Sequence, residues 1–484
     1  MNQLQLSEWE RVRATFQRIW GYPDFRPPQG EIVHCLISGQ DALIVMPTGG
    51  GKSICFQLPA LMQTGLTLVV SPLVALMENQ VAELREKKLP AASLHGELPP
   101  QQKRQTLWQL EHQRLRLLYL SPETLLSPAV WERLCQPTLK INALILDEAH
   151  CLVQWGDTFR PAYRRLGTVR PALLKAKGGG NMAIAAFTAT ADPDAQTTIR
   201  TVLQLQDPQP FLLNPYRPNL HLAVQTVYTR RGRRQQMLKF MRARSHQAGL
   251  VYVRTRRDSE ELADWLSQQG FTTAAYHAGL GASERRRIEA AWLGGKILWV
   301  ICTNAFGMGI NHPHVRAVIH YHSPLILPEY VQEVGRGGRD GDPAEALTLI
   351  SEPTGWLDPD DQQRQSFFLN KLRSQQQRAL QLAKRLPNEG NVTDISRQMK
   401  DGAIALSLLH SMGRLRWTDP FHYRLESGAK ASLLQHSDAA QQMVRYLRTK
   451  DCRWKFLLDA FGFSKDAAGM QCGHCDRCQA NRSG

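Results

Sequence analysis

The sequence predicts an α/β protein with two parallel-sheet domains in tandem, a helical, winged-helix-like segment and a small metal-binding module. Three observations carry that expectation. Short apolar runs alternate with helical stretches in two successive sets. A Gly-rich loop ending in Lys-Ser follows the first run. Four cysteines close the chain in the pattern C-x19-C-x2-C-x2-C.

The first set spans about residues 30–205. "DALIVM", "LTLVVS", "LRLLYLS" and "INALILDE" read as buried parallel strands, each followed by a polar or Gly-rich turn and a helix. The second set is "AGLVYV", "TTAAYHA", "ILWVICT", "VRAVIHY" and "AEALTLI". Two such sets make two α/β domains. The stretch 205–219, with four prolines and no helical period, reads as a linker. Residues 361–387 are rich in Gln, Arg and Leu and read as helix. Residues 391–426 then read as a short helix, a turn, a second helix and a strand hairpin. The expected domains are 1–208, 209–352, 353–435 and 436–484.

The chain has 484 residues and a formal net charge of +16. A surplus of that size points to a polyanionic partner, most often nucleic acid. A merely basic enzyme is the plain alternative. The N-terminus is polar and has no apolar signal-peptide core. The apolar stretch "LTLVVSPLVALM" is interrupted by Pro72 and is too short to span a membrane. The chain is therefore expected in the cytoplasm or nucleus, without membrane attachment. Nine cysteines in a reducing compartment point to metal ligands and buried thiols.

"MPTGGGKS" (46–53) lies between a strand and a helix. Consecutive glycines let backbone N–H groups close around phosphate oxygens, with Lys52 reaching the β/γ-phosphates and Ser53 placed for Mg²⁺. Met46 stands where the strict phosphate-loop pattern has glycine. In "LILDEAH" (144–150), a buried strand delivers Asp147 to hold Mg²⁺ and Glu148 to accept a proton from attacking water. Arg336 and Arg339 in "YVQEVGRGGRDG" share one face of a turn and can serve as arginine fingers. A solvated Arg-Gly turn is the bland reading of that segment.

"MPTGGGKS", "SPLVALMENQ", "DEAHC", "FTATA", "YHAGL", "TNAFGMGIN" and "QEVGRGGRDG" occur in this order. Together they resemble the RecQ family of superfamily 2 DNA helicases, over residues 20–350 and the final cysteines. The resemblance implies two RecA-like domains, ATP hydrolysis and 3′→5′ unwinding of DNA in recombination and repair. Its ligands would be single-stranded and tailed or forked duplex DNA, and the protein would be a monomer. It also explains Met46.

By the same resemblance, "GYPDFRPPQ" (21–29) receives adenine: Tyr22 stacks, Gln29 pairs with the base edge and Arg26 supports them. Thr48, Gly49, Gly51 and Gln332 complete the ATP-binding set. Trp155, Phe159 and Arg160 belong to an aromatic-rich DNA-sensing loop, in which Asp157 and Thr158 depart from the family's usual His and Asp. Ser71, His277, Gly279 and Thr303 are expected on the DNA backbone.

Residues 230–257 hold ten Arg or Lys and no acid, so Arg233 and Arg234 are either DNA contacts or part of a solvated face. Cys452, Cys472, Cys475 and Cys478 suit structural Zn²⁺, with His474 outside the ligand set. The zinc module is expected to fasten the end of the chain to the preceding accessory region. The segment 391–426 reads either as a duplex-binding insertion using Arg397, Lys400 and Arg414, or as a platform for the zinc module. The family's longer members continue beyond the zinc module, so a DNA-stimulated ATPase that remodels or anneals DNA without efficient strand separation is the alternative function.

Overall fold

The computed structural model describes residues 3–154, 160–306, 312–352, 354–426 and 435–480. It groups into two units. The first comprises residues 1–46, 50–213 and 375–432. The second comprises 47–49, 214–374 and 433–484.

The first unit is built on a seven-stranded parallel sheet. Its strands are β1 (Ala42–Val45), β2 (Leu66–Val70), β3 (Ala91–Leu94), β4 (Leu117–Leu120), β5 (Ile141–Leu146), β6 (Ala183–Thr188) and β7 (Gln209–Leu212), in the order β3-β4-β2-β5-β6-β1-β7. β1 to β4 and β6 are buried at every residue and β5 at all but one. Such continuous apolar runs are what a sheet covered on both faces requires. Leu43, Leu68 and Leu144 face one core; Ile44, Val69 and Ile145 face the other.

The expected linker needs correction here. Gln209–Leu212 is a strand, paired in parallel with β1 and placing Pro210 opposite Leu43. β7 ends the sheet, so the missing N–H of Pro210 falls on an edge strand, where proline is tolerated. The main segment of the second unit accordingly starts at residue 214.

The second unit holds a six-stranded parallel sheet. Its strands are β8 (Leu220–Val227), β9 (Ala248–Tyr252), β10 (Thr273–Tyr276), β11 (Trp299–Cys302), β12 (Val315–His320) and β13 (Ala344–Ser351), in the order β10-β11-β9-β12-β13-β8. The five expected strands form. The additional edge strand β8 is buried only at Leu220, Leu222 and Val227, and pairs with β13 along all eight residues.

The 24-residue helix Asp360–Ala383 carries the chain from the second unit into the first. There β14 (Glu389–Asn391), β15 (Leu415–Trp417) and β16 (His422–Leu425) form an antiparallel sheet in the order β14-β16-β15. It packs with helices Val392–Gln398 and Gly402–Ser411 around Ile395, Leu406, Leu409, Trp417 and Tyr423. This is the expected helix–turn–helix–hairpin, with one more strand.

The element docks on the first unit: Arg165 Nη1 donates to Pro420 O at 3.1 Å, the Arg165 guanidinium lies 5.9 Å from the Trp417 ring, and Trp131 meets Phe421 edge-on at 5.3 Å.

Candidate nucleotide site, zinc centre and nucleic-acid surface

β1 ends in the loop that opens the helix Lys52–Met62. Gly51 caps that helix with φ +75, in the left-handed region. A Cβ there would also lie 2.3 Å from Gln29 Nε2, so glycine is required twice over. Gln29 is buried; its Nε2 donates to Gly50 O at 3.0 Å and its Oε1 accepts from Arg26 N at 3.0 Å. The expected adenine ligand therefore ties the 21–29 segment to the phosphate loop. Tyr22 is half exposed and Arg26 exposed. Lys52 Nζ donates to Met46 O at 3.3 Å, and Ser53 follows in the first helical turn.

Asp147 stands just past β5 and is 4% exposed. Its Oδ2 accepts from Gln80 Nε2 at 3.1 Å and its Oδ1 from Glu148 N at 3.1 Å. Burial, then the negative charge of Glu148, push its carboxyl from 3.8 up to about 6, against the pull of Lys52 and Gln80. A buried carboxylate raised this way gains from a cation brought beside it. Asp147 and Ser53 are the residues present that suit Mg²⁺.

Glu148 has φ +54 and pairs with His150 Nδ1 at 3.2 Å. Burial opposes charge on His150, but Cys151 and Glu148 beside it outweigh that and raise its pKa. His150 Nδ1 also lies 3.3 Å from Thr188 Oγ1, which accepts from Thr190 N and donates to Thr190 O. "DEAHC" and "FTATA" are thereby one hydrogen-bonded unit.

Sequence reasoning quoted Gln80 within "SPLVALMENQ" but gave it no role. The signal was its place, an amide in the middle of the apolar face of the helix Val74–Glu86. His150 and Thr188 were missed in the same way.

In the second unit, Gln332 is buried in the helix Leu327–Val334. Arg254 pairs with Glu329 at 2.8 Å and Glu333 at 3.2 Å, and His320 Nε2 lies 2.9 Å from Glu333. These pairs fix the helix on the sheet, and the turn bearing Arg336 and Arg339 follows it. Gly338, at φ +58, leaves no room for a Cβ beside Asn219 Nδ2 at 2.5 Å. Asn219 Nδ2 holds the turn by donating to Gly338 O and Asp342 O, each at 2.8 Å.

The expected DNA residues are differently disposed. Ser71 is fully buried, so its hydroxyl does not face solvent. Arg160 pairs with Glu123 at 2.7 Å. Trp155 and Phe159 lie outside the described residues. His277 is buried: its Nε2 donates to Glu260 at 2.8 Å while its Nδ1 accepts from Gly279 N at 3.1 Å. Gly279 is exposed, and Thr303 is buried with its N–H donating to Tyr276 O.

Arg233 is 1% exposed and meets Asp358 at 3.2 Å and Asp361 at 3.0 Å. It is a structural cation, and neither the DNA contact nor the solvated face that the sequence left open for it.

The Sγ atoms of Cys452, Cys472, Cys475 and Cys478 lie within 4.8 Å of one another. Four thiolates about 2.3 Å from one Zn²⁺ sit roughly 4 Å apart, so the set fits a closed structural site. Cys472 N donates to Cys452 Sγ at 3.4 Å and Cys475 N to Cys472 Sγ at 3.3 Å, as thiolate ligands require. His474 instead meets the Tyr216 hydroxyl at 3.3 Å.

Within its own unit the module fastens to the second α/β sheet. Arg453, fully buried, forks onto Asp476 at 2.7 and 2.8 Å, and Asp476 also accepts from Val224 N on β8. Trp454 Nε1 donates to Leu220 O at 3.2 Å. Tyr446 OH donates to Tyr330 OH at 2.8 Å on the helix Leu327–Val334. Cys35, Cys55, Cys151 and Cys302 are buried thiols, and Cys135 is half-buried.

Comparison with known proteins agrees with this arrangement. The DEAD/DEAH box helicase profile matches residues 26–198, the helicase conserved C-terminal domain 232–341 and the RecQ zinc-binding profile 421–479. The chain is 51% identical over 479 residues to the ATP-dependent DNA helicase RecQ of Synechocystis sp., covering 99% of this chain and all of that one. It is 37% identical over 346 residues to the RecQ helicase of Haemophilus influenzae, covering 71% of this chain and 54% of that protein.

Two solved structures share the fold. The Mycobacterium smegmatis helicase Lhr, bound to ssDNA and AMP-PNP, superposes with TM-score 0.56 at 18% identity, over 90% of this chain and 61% of that one. S. cerevisiae Dbp5, bound to RNA and ADP BeF3, gives TM-score 0.58 at 16% identity, over 72% and 88%. No helix among the described residues is long and apolar enough to cross a membrane. With the three profiles in order and a relative matched end to end at 51% identity, this chain belongs to the RecQ family of ATP-dependent DNA helicases.

Proposed function

We propose that the protein is an ATP-dependent DNA helicase that moves 3′→5′ along single-stranded DNA and separates tailed or forked duplexes in recombination and repair. The observation that carries this reading is the buried constellation of Asp147, Glu148, His150, Gln80 and Thr188 beside the phosphate loop. It joins a nucleotide-facing carboxylate pair to neighbouring segments by defined hydrogen bonds, as a site that must relay its state requires.

In this reading, Tyr22, Arg26 and Gln29 receive the base, and Thr48, Gly49, Gly51 and Gln332 help hold the nucleotide. Lys52 holds the phosphates. Ser53 and Asp147 hold Mg²⁺, which when bound neutralises the developing phosphate charge. Glu148 orients the attacking water and takes its proton. Arg336 and Arg339 supply positive charge to the transferred phosphoryl group. Ser71, Trp155, Phe159, Arg160, His277, Gly279 and Thr303 contact the strand; for Ser71 that requires local rearrangement. We place the protein in the cytoplasm, at the nucleoid if bacterial, acting as a monomer.

The test is ATP turnover and strand displacement on 3′-tailed, 5′-tailed and blunt duplexes, with Lys52→Ala as control. Displacement restricted to the 3′-tailed substrate supports the proposal. DNA-stimulated turnover without displacement supports a translocating or annealing ATPase instead, and no stimulation by DNA removes both readings.

A further inference from the structure

The basic run at 230–257 contains more than the structural Arg233. The helices Arg230–Arg242 and Arg256–Gln268 each run 13 residues, and their first turns line the same open pocket of about 820 Å³ on the second unit. Each N-terminus is capped by a threonine, Thr229 accepting from Gly232 N and Thr255 from Asp258 N. Two positive helix ends therefore border one cavity. Besides Arg233, five arginines line it against three carboxylates, Asp258, Glu261 and Asp360.

Those carboxylates are already engaged. Asp360 pairs with Arg230, Glu261 with Arg257, and Asp258 accepts from Thr255 Oγ1. Arg231 makes no ion pair among the described residues and is exposed. Arg234 lies 5.4 Å from the face of Trp265, an aromatic ring that also lines the pocket.

A second observation points to a ligand. His322 lines the pocket and is 2% exposed, yet its Nδ1 has no hydrogen-bond partner. The nearest carboxylate, Asp258, is 3.9 Å away, beyond hydrogen-bond reach. An unpaired buried ring nitrogen is costly, and a bound phosphate oxygen is a partner of the right kind. Arg364, also in the pocket wall, makes no hydrogen bond at Nη1, and its ion pair with Asp258 there is long, at 3.6 Å.

We propose that this pocket is a phosphate-binding site, distinct from the nucleotide site, which takes a phosphate of a DNA strand or of a free nucleotide through Arg231, Arg234, Arg364 and His322. Trp265 offers a face on which the attached base stacks. Its use on DNA rests on the helicase reading; phosphate binding itself does not.

The test compares Arg231→Glu with Arg242→Glu. Both change the net charge equally and lie on one helix, but only Arg231 faces the pocket. Glutamate at 231 sits in the first helical turn, where the helix dipole favours it, so folding is preserved. Single-stranded DNA binding is measured by anisotropy across a salt series, and tripolyphosphate binding by calorimetry in a Lys52→Ala background.

A pocket that holds the strand lowers the DNA salt slope by about 0.7 in Arg231→Glu and not in Arg242→Glu. A pocket that holds free phosphates leaves the two DNA slopes equal but abolishes tripolyphosphate binding in Arg231→Glu alone. Equal behaviour of the two variants in both assays overturns the proposal. Loss of DNA-stimulated turnover in the unmodified protein would instead strike the helicase reading and leave the tripolyphosphate arm standing.

Discussion

The two accessory elements, 389–426 and 435–480, are joined to their α/β units by different chemistry. The first packs its helix Gly402–Ser411 on the turn Pro161–Thr168 of its unit, with Arg165 reaching Pro420 O and the Trp417 ring and Trp131 meeting Phe421 edge-on. The second is bound to its unit by the buried Arg453–Asp476 fork, which also takes the N–H of Val224, by Trp454 on Leu220 O, and by the Tyr446–Tyr330 pair. The half of the zinc module nearest β8 thus shares the core of the second sheet: Trp454, Leu457 and Cys475 belong to one apolar cluster with Leu222 and Ala346. One element is docked on a finished domain, whereas the other completes one.

The strongest way to break that contrast is to cut the fork. Arg453→Ala leaves Asp476 without its cation beside β8, a change that costs about 3–5 kcal/mol where a buried pair loses one member. Chemical denaturation should show this as a lower midpoint for the second unit. Arg233→Ala, which strands Asp358 and Asp361, is expected to cost a similar amount, about 3–5 kcal/mol, whereas Arg234→Ala stays within ~0.5 kcal/mol. Equal effects of the two would remove the distinction between a structural and a ligand-facing arginine.

Acid should weaken the first element. Burial, then the charge of Arg164, lower His410 from 6.5 to about 4. The unfolded chain then takes up a proton that the native state resists. Stability is therefore intact above pH 6.5 and falls as the pH drops toward 4, by up to about 3 kcal/mol. His410→Gln should flatten that part of the stability–pH curve; an unchanged curve would show that His410 is not the group responsible. The smallest effect is expected from Arg165→Ala, about 1 kcal/mol from one hydrogen bond and one cation–π contact. A loss as large as that of Arg453→Ala would make the two attachments equivalent.

How far the sequence reached depends on range. Continuous apolar runs announced nine parallel strands, because burial on both faces leaves a strong local signature. β3 and β6, short or alanine-rich, and the half-polar edge strand β8 lack that signature. β7 was hidden by Pro210, which only the edge position makes acceptable. Lys52, Asp147 and Glu148 were legible because loop and strand context is local. Gln80, His150 and Thr188 were not, since their roles come from contacts that span up to 67 residues of chain.

Arg233 shows the converse. Ten basic residues in a row of 28 read as a surface, but its acids, Asp358 and Asp361, lie far along the chain. The docking of the zinc module on β8 was equally invisible, because nothing near Cys452 names its distant partners.

The most direct measurement is amide hydrogen exchange of the full chain before and after zinc chelation. If the module completes the second unit, β8 and the helix Leu327–Val334 lose protection together with residues 452–480, while β1 and β5 keep theirs. Loss confined to 452–480 would contradict the account and make the zinc module an independent appendage.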